Sequence, residues 1–539
     1  MSGSITLENR FGVNKMELIS LKYAIFVIVL LVLYYCFPKK YRWYVLLAGS
    51  MAYYVIICKW YVLFIIFTIC TTYGSTIWID KMLKEQNAIV KSHKEDWDRQ
   101  TRKEYKEKGR KKRVAVMLFA LLCNFGILAF LKYIPYAGEL GLLLPLGISF
   151  YTFQSMGYVM DVYREIVEPE KNFLKVALFV SFFPQIIQGP IAIYDKLAGQ
   201  LYAGHSLRLE NLQKGALLVL WGVMKKLVIA DRAVNIINFV MDKPMDFSGT
   251  YVFFAAVVYA LQLYADFSGG IDIVRGIAEM FGITMSTNFN HPYFSRSLTE
   301  YWHRWHMTLG DWCRNYIFYP LSISKRFLNF GKWLKPRFGA HISKVLPGCI
   351  ASVITFIVIG VWHGANMKYL YFGLWNGIVI MLAELFAPVN KKVAGGFFKL
   401  TGLREKGIFA TIVSVLWTFM LILVGYYFDI AANASTAFHM LFKSVTDFHI
   451  SELGINNIIL NLGACGLDEY DILLLIICTL LWFFISFVEE NKKLDMRDFI
   501  LSRKLPLRWA IIYLGIFIVI IFGYYGPGVN PADFVYMQF

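Results

Sequence analysis

The sequence predicts an all-α polytopic membrane protein, and three observations carry that prediction. The composition is strongly hydrophobic: 58% of the 539 residues are hydrophobic and 17% are charged, against about 25% charged in a typical soluble chain. Apolar segments long enough to cross a hydrocarbon core of about 30 Å recur along the chain. Lysine and arginine concentrate between those segments, as they do in the cytoplasmic loops of membrane proteins.

Thirteen apolar segments are distinguishable, and because some of them could be re-entrant we expect about eleven to thirteen transmembrane and re-entrant helices. The first segment is followed by the basic run Lys39–Arg42 and by no cleavage site of small residues, which indicates a retained anchor and not a signal peptide. The segments are 18–37, 42–58, 60–79, 114–131, 142–160, 173–190, 211–230, 250–281, 347–366, 368–387, 407–429, 471–488 and 509–526.

The basic clusters indicate the orientation of the chain. We expect an orientation that places all of them in the cytoplasm and leaves the N-terminus, segment 430–470 and the tail 527–539 outside. This distribution accounts for the net charge of +17, so we expect no nucleic-acid partner. The loop 80–113 mixes both signs at helical spacing, which predicts a cytoplasmic loop or helix with solvated faces. The clusters lie at 39–42, 81–113, 324–344, 391–406 and 492–508.

Several apolar segments contain residues that are costly at membrane depth. Leu144–Arg164 and Ser181–Pro190 include glycine, proline and glutamine, and a broken backbone is tolerated there only inside protein or beside a wet cavity. Another segment carries two aspartates, Asp266 and Asp272, close to Arg275. Charges inside a membrane protein face the interior and pair, so we expect Arg275 to form a structural ion pair with one of the two aspartates.

Two histidines lie in polar stretches, His306 in YWHRWHMTLGDWCRN and His363 in GVWHGANMKYLYFGLWNG. His303 and His306 share a face if the segment is helical, but neither a carboxylate nor a cysteine completes a ligand set, so we predict no metal site. Each histidine could be a packed core residue, or the two could form one interior site. A neutral imidazole can accept a proton from a hydroxyl while a second polar group stabilises the oxyanion of an attacked thioester. That chemistry is acyl transfer.

Five runs carry a resemblance to the membrane-bound O-acyltransferase family, in the family's order: LPLGISFYTFQSMGYVMDVYR, FFPQIIQGPI, YADFSGGIDI, NFNHPYFSRSLTEYWHRWHMTLGDWCRNYIFYPL and WHGANMKYLYFGLWNG. The chain resembles the bacterial branch of alginate O-acetylation and teichoic acid D-alanyl transfer over nearly its whole length. The resemblance implies one membrane domain over 1–539 with a catalytic core at 145–377. It also implies a ring of helices around a central thinned funnel, open to both faces, with the two histidines where the funnels meet. The family more often has tyrosine at Gly270, so no side-chain role is expected there.

The resemblance also implies the roles of individual residues. His363 matches the family's catalytic histidine and His306 its upstream partner, whereas His303 is left out of the core site. Tyr536, in the C-terminal run FVYMQF, resembles an acyl-carrying tyrosine of aromatic tails, and simple anchoring of the tail at the membrane interface is the alternative. The funnel wall or substrate-binding set would comprise Trp302, Trp305, Arg304, Arg314, Asn288, Trp362 and Asn366.

The predicted function is O-acylation of a cell-surface or secreted polysaccharide. The enzyme would carry a short acyl group, most favourably acetyl, across the bacterial cytoplasmic membrane. The donor would be a thioester substrate, acetyl-CoA or a phosphopantetheine carrier, with no bound cofactor. The lipid bilayer surrounds the chain, and an SGNH-type transferase outside would pass the acyl group to the glycan. D-alanyl transfer to teichoic acid remains an alternative. A polysaccharide or lipid transporter is a second one, although the chain shows no repeats with a broken helix in each half.

Overall fold

The computed structural model of the protein describes residues 16–134, 137–138, 140–401, 404, 407–454, 457–458, 463–526 and 534. Every regular element in these residues is helical, which confirms the all-α prediction. Seven of the described helices are long and apolar enough to cross a membrane, and the bent pair Met367–Leu385 and Ala387–Thr401 would make eight. The chain is therefore a multi-pass membrane protein.

The chain forms two compact units. The first consists of Met1–Val219 and Ile271–Ser286, and the second of Leu220–Gly270 and Thr287–Phe539. Two helices, α9 and α11, cross from one unit into the other along the chain. Helices that begin in the first unit are α1 (Leu21–Cys36), α2 (Arg42–Cys58), α3 (Val62–Ser92), α4 (Arg99–Tyr133), α5 (Ile148–Tyr163), α6 (Phe173–Ser181), α7 (Phe183–Gln188), α8 (Tyr194–Tyr202) and α9 (Leu209–Met224).

Among its described residues, the second unit has two π-helices, Lys225–Ala230 and Arg314–Phe318, besides its α-helices. π-Helical turns are rare and are often associated with functional sites. The α-helices are α10 (Asp231–Met241), α11 (Gly249–Met280), α12 (Leu298–Arg304), α13 (Met307–Cys313), α14 (Tyr319–Ser322), α15 (Lys325–His363), α16 (Met367–Leu385), α17 (Ala387–Thr401), α18 (Ile408–Ile430), α19 (Ala434–Thr446), α20 (Glu469–Lys492), α21 (Met496–Leu501) and α22 (Leu505–Phe522).

In the first unit the predicted segment 173–190 is broken. Its two short helices meet at Phe182, whose backbone is not helical, and α7 starts with Pro184 in its first turn. The hydroxyl of Tyr202, at the end of α8, donates to the carbonyl of Lys175 near the start of α6, at 2.8 Å. After α6, α7 and α8 the chain is therefore back beside the start of α6.

The same unit shows on which side that return lies. Arg42, in the predicted cytoplasmic cluster 39–42, donates to the carbonyl of His205. Tyr35, just before that cluster, donates to the carbonyl of Met280 at the end of α11, at 2.7 Å. His205 and the end of α11 therefore lie beside cluster 39–42. The sequence analysis left open which of the thirteen segments are re-entrant, and this return is what a re-entrant segment 173–190 would produce.

The broken backbone around α5 to α7 is enclosed by protein, as the polar residues of these segments predicted. All residues from Ile148 to Val162 are buried. Gln154 donates to the carbonyl of Phe179 at 2.6 Å, and Gln185 donates to that of Pro190 at 3.0 Å, so buried carbonyls near the break are satisfied. Gly147 precedes α5 at φ 69°, and a Cβ there would overlap the Ile186 carbonyl oxygen, so only glycine fits.

Two segments of the second unit that were not predicted as helices are helical. Residues 324–344, expected as a basic loop, form the first part of α15, which Ser324 caps and which Gly339 interrupts at φ 80°. Segment 430–470 contains α19, capped by the Asn433 side chain. Caps of this kind stabilise a helix by about 1 kcal/mol. The span predictions looked only for long apolar runs and therefore missed these polar, capped helices.

Arg275 forms the expected ion pair on α11 with Asp272, and Asp266, the other candidate partner, pairs with a lysine instead. Arg275 Nη1 is 3.6 Å from Asp272 Oδ1, one turn away. Asp266 instead accepts from Lys226 Nζ at 2.6 Å, and the same ammonium is 2.9 Å from Asp231. The side chains of this trio are at most 3% exposed. Lys226 was overlooked in the sequence although it lies inside the predicted segment 211–230.

Candidate active site

The stretch that contains His306 is not one helix but two short ones separated by a sharp turn. Helix α12 ends at Arg304, and His306 adopts a left-handed conformation, with φ 44° and ψ 49°, before α13 begins. His303 and His306 therefore do not share a helical face, because the helix stops between them. His303 is exposed, whereas His306 is buried at 2% exposure.

Asn288 holds the start of α13 and His306 together. Its backbone carbonyl accepts from Met307 N at 2.9 Å. Its side-chain oxygen accepts from the backbone N–H and the hydroxyl of Thr308, at 3.1 and 2.8 Å, and lies 3.2 Å from His306 Nδ1. On its other side the His306 ring meets Phe267 edge to face, with 4.8 Å between ring centroids. The imidazole is thus fixed in position by its neighbours.

His363 is the last residue of α15, where the chain turns back into α16. Its ring packs on Tyr369 and Phe372 of α16, with centroid distances of 5.9 and 5.5 Å. The two helices approach closely because Gly360 lies against the Tyr369 carbonyl, where a Cβ would collide. The negative end of the α15 dipole favours a positive charge at this terminus, so it stabilises an imidazolium formed by proton uptake.

Both histidines line one small cavity of the second unit, with a volume of about 20 Å³. That volume holds about one water molecule. Trp362 packs near both rings, 6.3 Å from His306 and 4.9 Å from His363 between centroids. The lining residues are Leu263, Tyr301, Trp302, Trp305, His306, Leu309, Ile359, His363, Phe372, Asn376, Ile422, Tyr426 and Asp429. The two histidines that the sequence singled out therefore share a site.

Two tryptophans expected in the funnel wall also line this cavity. Trp302 is half-buried, and its indole N–H donates to Asn376 Oδ1 at 3.0 Å. Trp305 is 4% exposed and stacks on Tyr301, with 5.6 Å between centroids. Buried indole and phenol groups with hydrogen-bonding partners make a rigid wall, which suits a site that must hold a reacting group in place.

Other residues expected in the wall lie away from the cavity lining. Arg304 bonds Glu300 at 2.7 Å and Glu490 at 3.0 Å, so it ties α12 to the end of α20. Arg314 pairs with Asp311 at 2.5 Å and is substantially exposed. Asn366 is exposed and caps α16 through the Lys368 backbone N–H. Asn288 also lies behind the cavity. Their local ion-pair and capping contacts account for these positions.

The sequence analysis overlooked two polar residues of the cavity, Asn376 and Asp429. Asn376 is 3% exposed and donates from its amide nitrogen to the Phe372 carbonyl at 2.8 Å. Asp429 accepts from the Tyr259 hydroxyl at 2.7 Å. Both lie in or at the end of an apolar segment, where a polar side chain indicates a functional position. That signal was available in the sequence.

One residue of the C-terminal tail, Phe534, is described, and it packs within the second unit. Phe534 is 5% exposed, with its ring centroid 4.5 Å from Lys226 Nζ, close enough for a cation–π contact. Tyr536 lies outside the described residues, so its predicted role stays a prediction. No cluster of three or more metal-ligating side chains occurs in the described part of the chain.

Comparison with known proteins gives a consistent picture. Residues 169–335 match the model of the membrane-bound O-acyltransferase family. A probable alginate O-acetylase of Pseudomonas syringae is 30% identical over 315 residues, which cover 58% of this chain and 54% of that protein. A peptidoglycan O-acetyltransferase of Helicobacter pylori is 30% identical over 314 residues, covering 51% and 56%. A teichoic acid D-alanyltransferase of Bacillus subtilis is 26% identical over 288 residues, covering 52% and 67%. The chain spans little more than half the length of the first two relatives.

Proposed function

We propose that the chain, whose residues 169–335 match the model of the membrane-bound O-acyltransferase family, is a transmembrane O-acyltransferase for a short acyl group. Acetyl is the acyl group we favour, and the final acceptor is a cell-surface or secreted polysaccharide. The observation that carries the proposal is the pair of histidines, His306 and His363, on one small cavity. Two of the relatives described above are O-acetylating enzymes by name.

The chemistry follows from the two imidazoles. A hydroxyl oxygen attacks the thioester carbonyl carbon while His363 accepts the hydroxyl proton as general base. The carbon–sulfur bond then breaks, the thiol leaves with the proton that His363 returns, and an oxygen ester remains. The end of α15 stabilises the transient imidazolium. His306 positions either the acyl carbonyl or the nucleophile, and the rigid aromatic wall excludes water that would hydrolyse the ester.

A short acyl group is the choice that the two O-acetylating relatives favour. The donor is a cytoplasmic thioester, either acetyl-CoA or a phosphopantetheine carrier, and the chain sits in the bacterial cytoplasmic membrane with both termini outside. The positive-inside distribution of lysine and arginine supports this orientation.

We further propose that Tyr536 is the first acceptor of the acyl group. A phenol of pKa about 10 becomes a good nucleophile when a neutral histidine takes its proton, and an aryl ester stays activated for onward transfer. The burial of Phe534 against Lys226 supports the presence of the tail near the second unit. An SGNH-type transferase outside the membrane would then pass the acyl group from the tail to the glycan.

The test is thioester turnover by the purified, full-length protein. We expect release of free thiol from acetyl-CoA or from an acetylated carrier, together with a labelled acetyl group on the protein. Faster turnover of a D-alanyl carrier would assign the chain to teichoic acid D-alanylation, which the Bacillus subtilis relative makes the second candidate. No turnover of any donor, with polysaccharide or lipid movement across proteoliposomes, would replace the enzyme by a transporter.

A further inference from the structure

We propose that Asn288 is a positioning residue that sets the tautomer of His306, with the proton on Nδ1 and the lone pair on Nε2. The kinetic consequence rests on the proposed acyl transfer, whereas the tautomer itself does not. Asn288 was expected in the wall of the site, yet it is 1% exposed and lies behind the histidine, where a side chain can act only through its neighbours.

The first step is the identity of the Asn288 side-chain atom that faces His306. Oxygen and nitrogen of an amide are told apart by their partners. This atom accepts from the backbone N–H of Thr308 at 3.1 Å, and a backbone N–H can only donate. An amide nitrogen in the same place would set two donors against each other. The atom is therefore the oxygen.

The second step is the imidazole. An amide oxygen accepts and does not donate, so the 3.2 Å contact with His306 Nδ1 is a hydrogen bond only if Nδ1 carries a hydrogen. In a neutral ring one nitrogen is protonated and the other has the lone pair. Nε2 of neutral His306 is consequently the acceptor nitrogen. The Thr308 hydroxyl, 2.8 Å from the same oxygen, helps to hold that oxygen in place.

The backbone explains why one asparagine can serve both purposes. His306 is the residue before α13, and its own side chain does not cap the helix. Asn288 caps it instead, because its carbonyl takes the first N–H, of Met307, and its side-chain oxygen takes the second, of Thr308. The left-handed turn at His306 then places the imidazole beside that oxygen. The helix cap and the tautomer are set by the same atom.

The tautomer decides between the two roles left to His306. With Nδ1–H held by Asn288, the neutral ring has no second N–H to donate to an acyl carbonyl oxygen. It can accept a hydrogen bond at Nε2, so His306 orients the hydroxyl nucleophile through that hydroxyl's own proton. His363 then takes the proton during attack. In this arrangement, loss of the Asn288 side chain lowers kcat and leaves the affinity for the donor unchanged.

The direct test is nitrogen NMR of the full-length protein labelled with ¹⁵N-histidine, with the His306 signal assigned by its loss in His306→Gln. The expected spectrum shows a protonated Nδ1 and an unprotonated Nε2 for His306. A protonated Nε2 with an unprotonated Nδ1 would overturn the proposal, whether or not the protein proves to be an acyltransferase.

Three variants separate positioning from simple stabilisation. Asn288→Ala removes the acceptor, and we expect mixed His306 tautomers and a kcat about tenfold lower at unchanged KM, the effect of about one net hydrogen bond. Asn288→Asp keeps an acceptor oxygen and should restore the Nδ1–H tautomer and most of kcat. Asn290→Ala is the control, since Asn290 is exposed and contacts Arg304 only through its backbone.

Stability is followed in parallel by thermal unfolding, because Asn288 also caps α13. Equal thermal stability of Asn288→Ala and Asn288→Asp with different kcat values would support a positioning role. A folded Asn288→Ala protein with wild-type kcat would contradict it. If Asn288→Ala does not fold, the NMR spectra of the wild type and of Asn288→Asp still decide the tautomer. Absence of turnover in the wild type itself would refute the acyl-transfer proposal and leave the NMR result to judge this one.

Discussion

Replacement of Asp266 by asparagine should destabilise the protein far more than the same replacement at Asp272 on the same helix, α11. Asp266 is fully buried and bonds Lys226 at 2.6 Å. Removal of one partner from a buried ion pair costs about 3–5 kcal/mol, because the other charge is left in a medium of low dielectric constant. Asp231, 2.9 Å from the same ammonium, remains as a partner and keeps the loss near the lower end, about 3 kcal/mol.

Asp272→Asn is the matched control. The Asp272–Arg275 pair is longer, 3.6 Å, and its side chains are 15% and 18% exposed. Partly hydrated pairs contribute about 0–1 kcal/mol. The assay is thermal unfolding of detergent-purified protein, monitored by tryptophan fluorescence. Asp266→Asn should lower the unfolding temperature by several degrees and Asp272→Asn by little. Equal shifts for the two variants would refute the view that the buried trio around Lys226 is a main structural element of the second unit.

Three further predictions concern the site and the fold. His306→Ala should lower kcat more than it raises KM for the donor, whereas His303→Ala, at an exposed position, should be milder; equal losses would mean that the two were assigned wrongly. Tyr536→Phe keeps the ring but removes the nucleophilic hydroxyl. In the absence of the partner transferase, mass spectrometry of the C-terminal peptide should show an acyl adduct on the wild type and none on Tyr536→Phe. Full activity of Tyr536→Phe would leave membrane anchoring as the role of the tail. Gly147→Val should reduce the yield of folded protein measured by size-exclusion chromatography, because its φ of 69° and the Ile186 carbonyl exclude a side chain, and a normal yield would contradict that packing.

Apolar runs predicted the straight helices of the fold well. The predicted segments 407–429 and 509–526 correspond to α18 and α22 within a few residues. Hydropathy alone could not predict that α6–α7 turns back, because the fold of this segment depends on the contact of Tyr202 with Lys175 and not on local composition. The basic stretch 324–344 was taken for a loop because charge masks the helical periodicity of its apolar residues.

In the candidate site, too, local motifs predicted some features and contacts between distant residues determined others. His306 and His363 were selected from local motifs, and the structure places them on one cavity. The sequence could not predict that Arg304 would bond Glu490, 186 residues away, and so leave the wall of the site. Asp266 likewise pairs with Lys226, which lies 40 residues earlier, and not with Arg275. Ion pairs between distant parts of a chain depend on packing that no local pattern encodes.

The central claim is that the cavity lined by His306 and His363 transfers an acyl group, and one measurement tests it most directly. His363→Ala and wild-type protein, both purified as folded monodisperse material, are given an acetyl thioester, and the thiol released and the acetyl ester formed are measured together. We predict that the wild type forms both products and that His363→Ala forms neither ester nor thiol above the uncatalysed rate, because His363 is the general base of the proposed transfer. Wild-type ester formation by folded His363→Ala would contradict the claim.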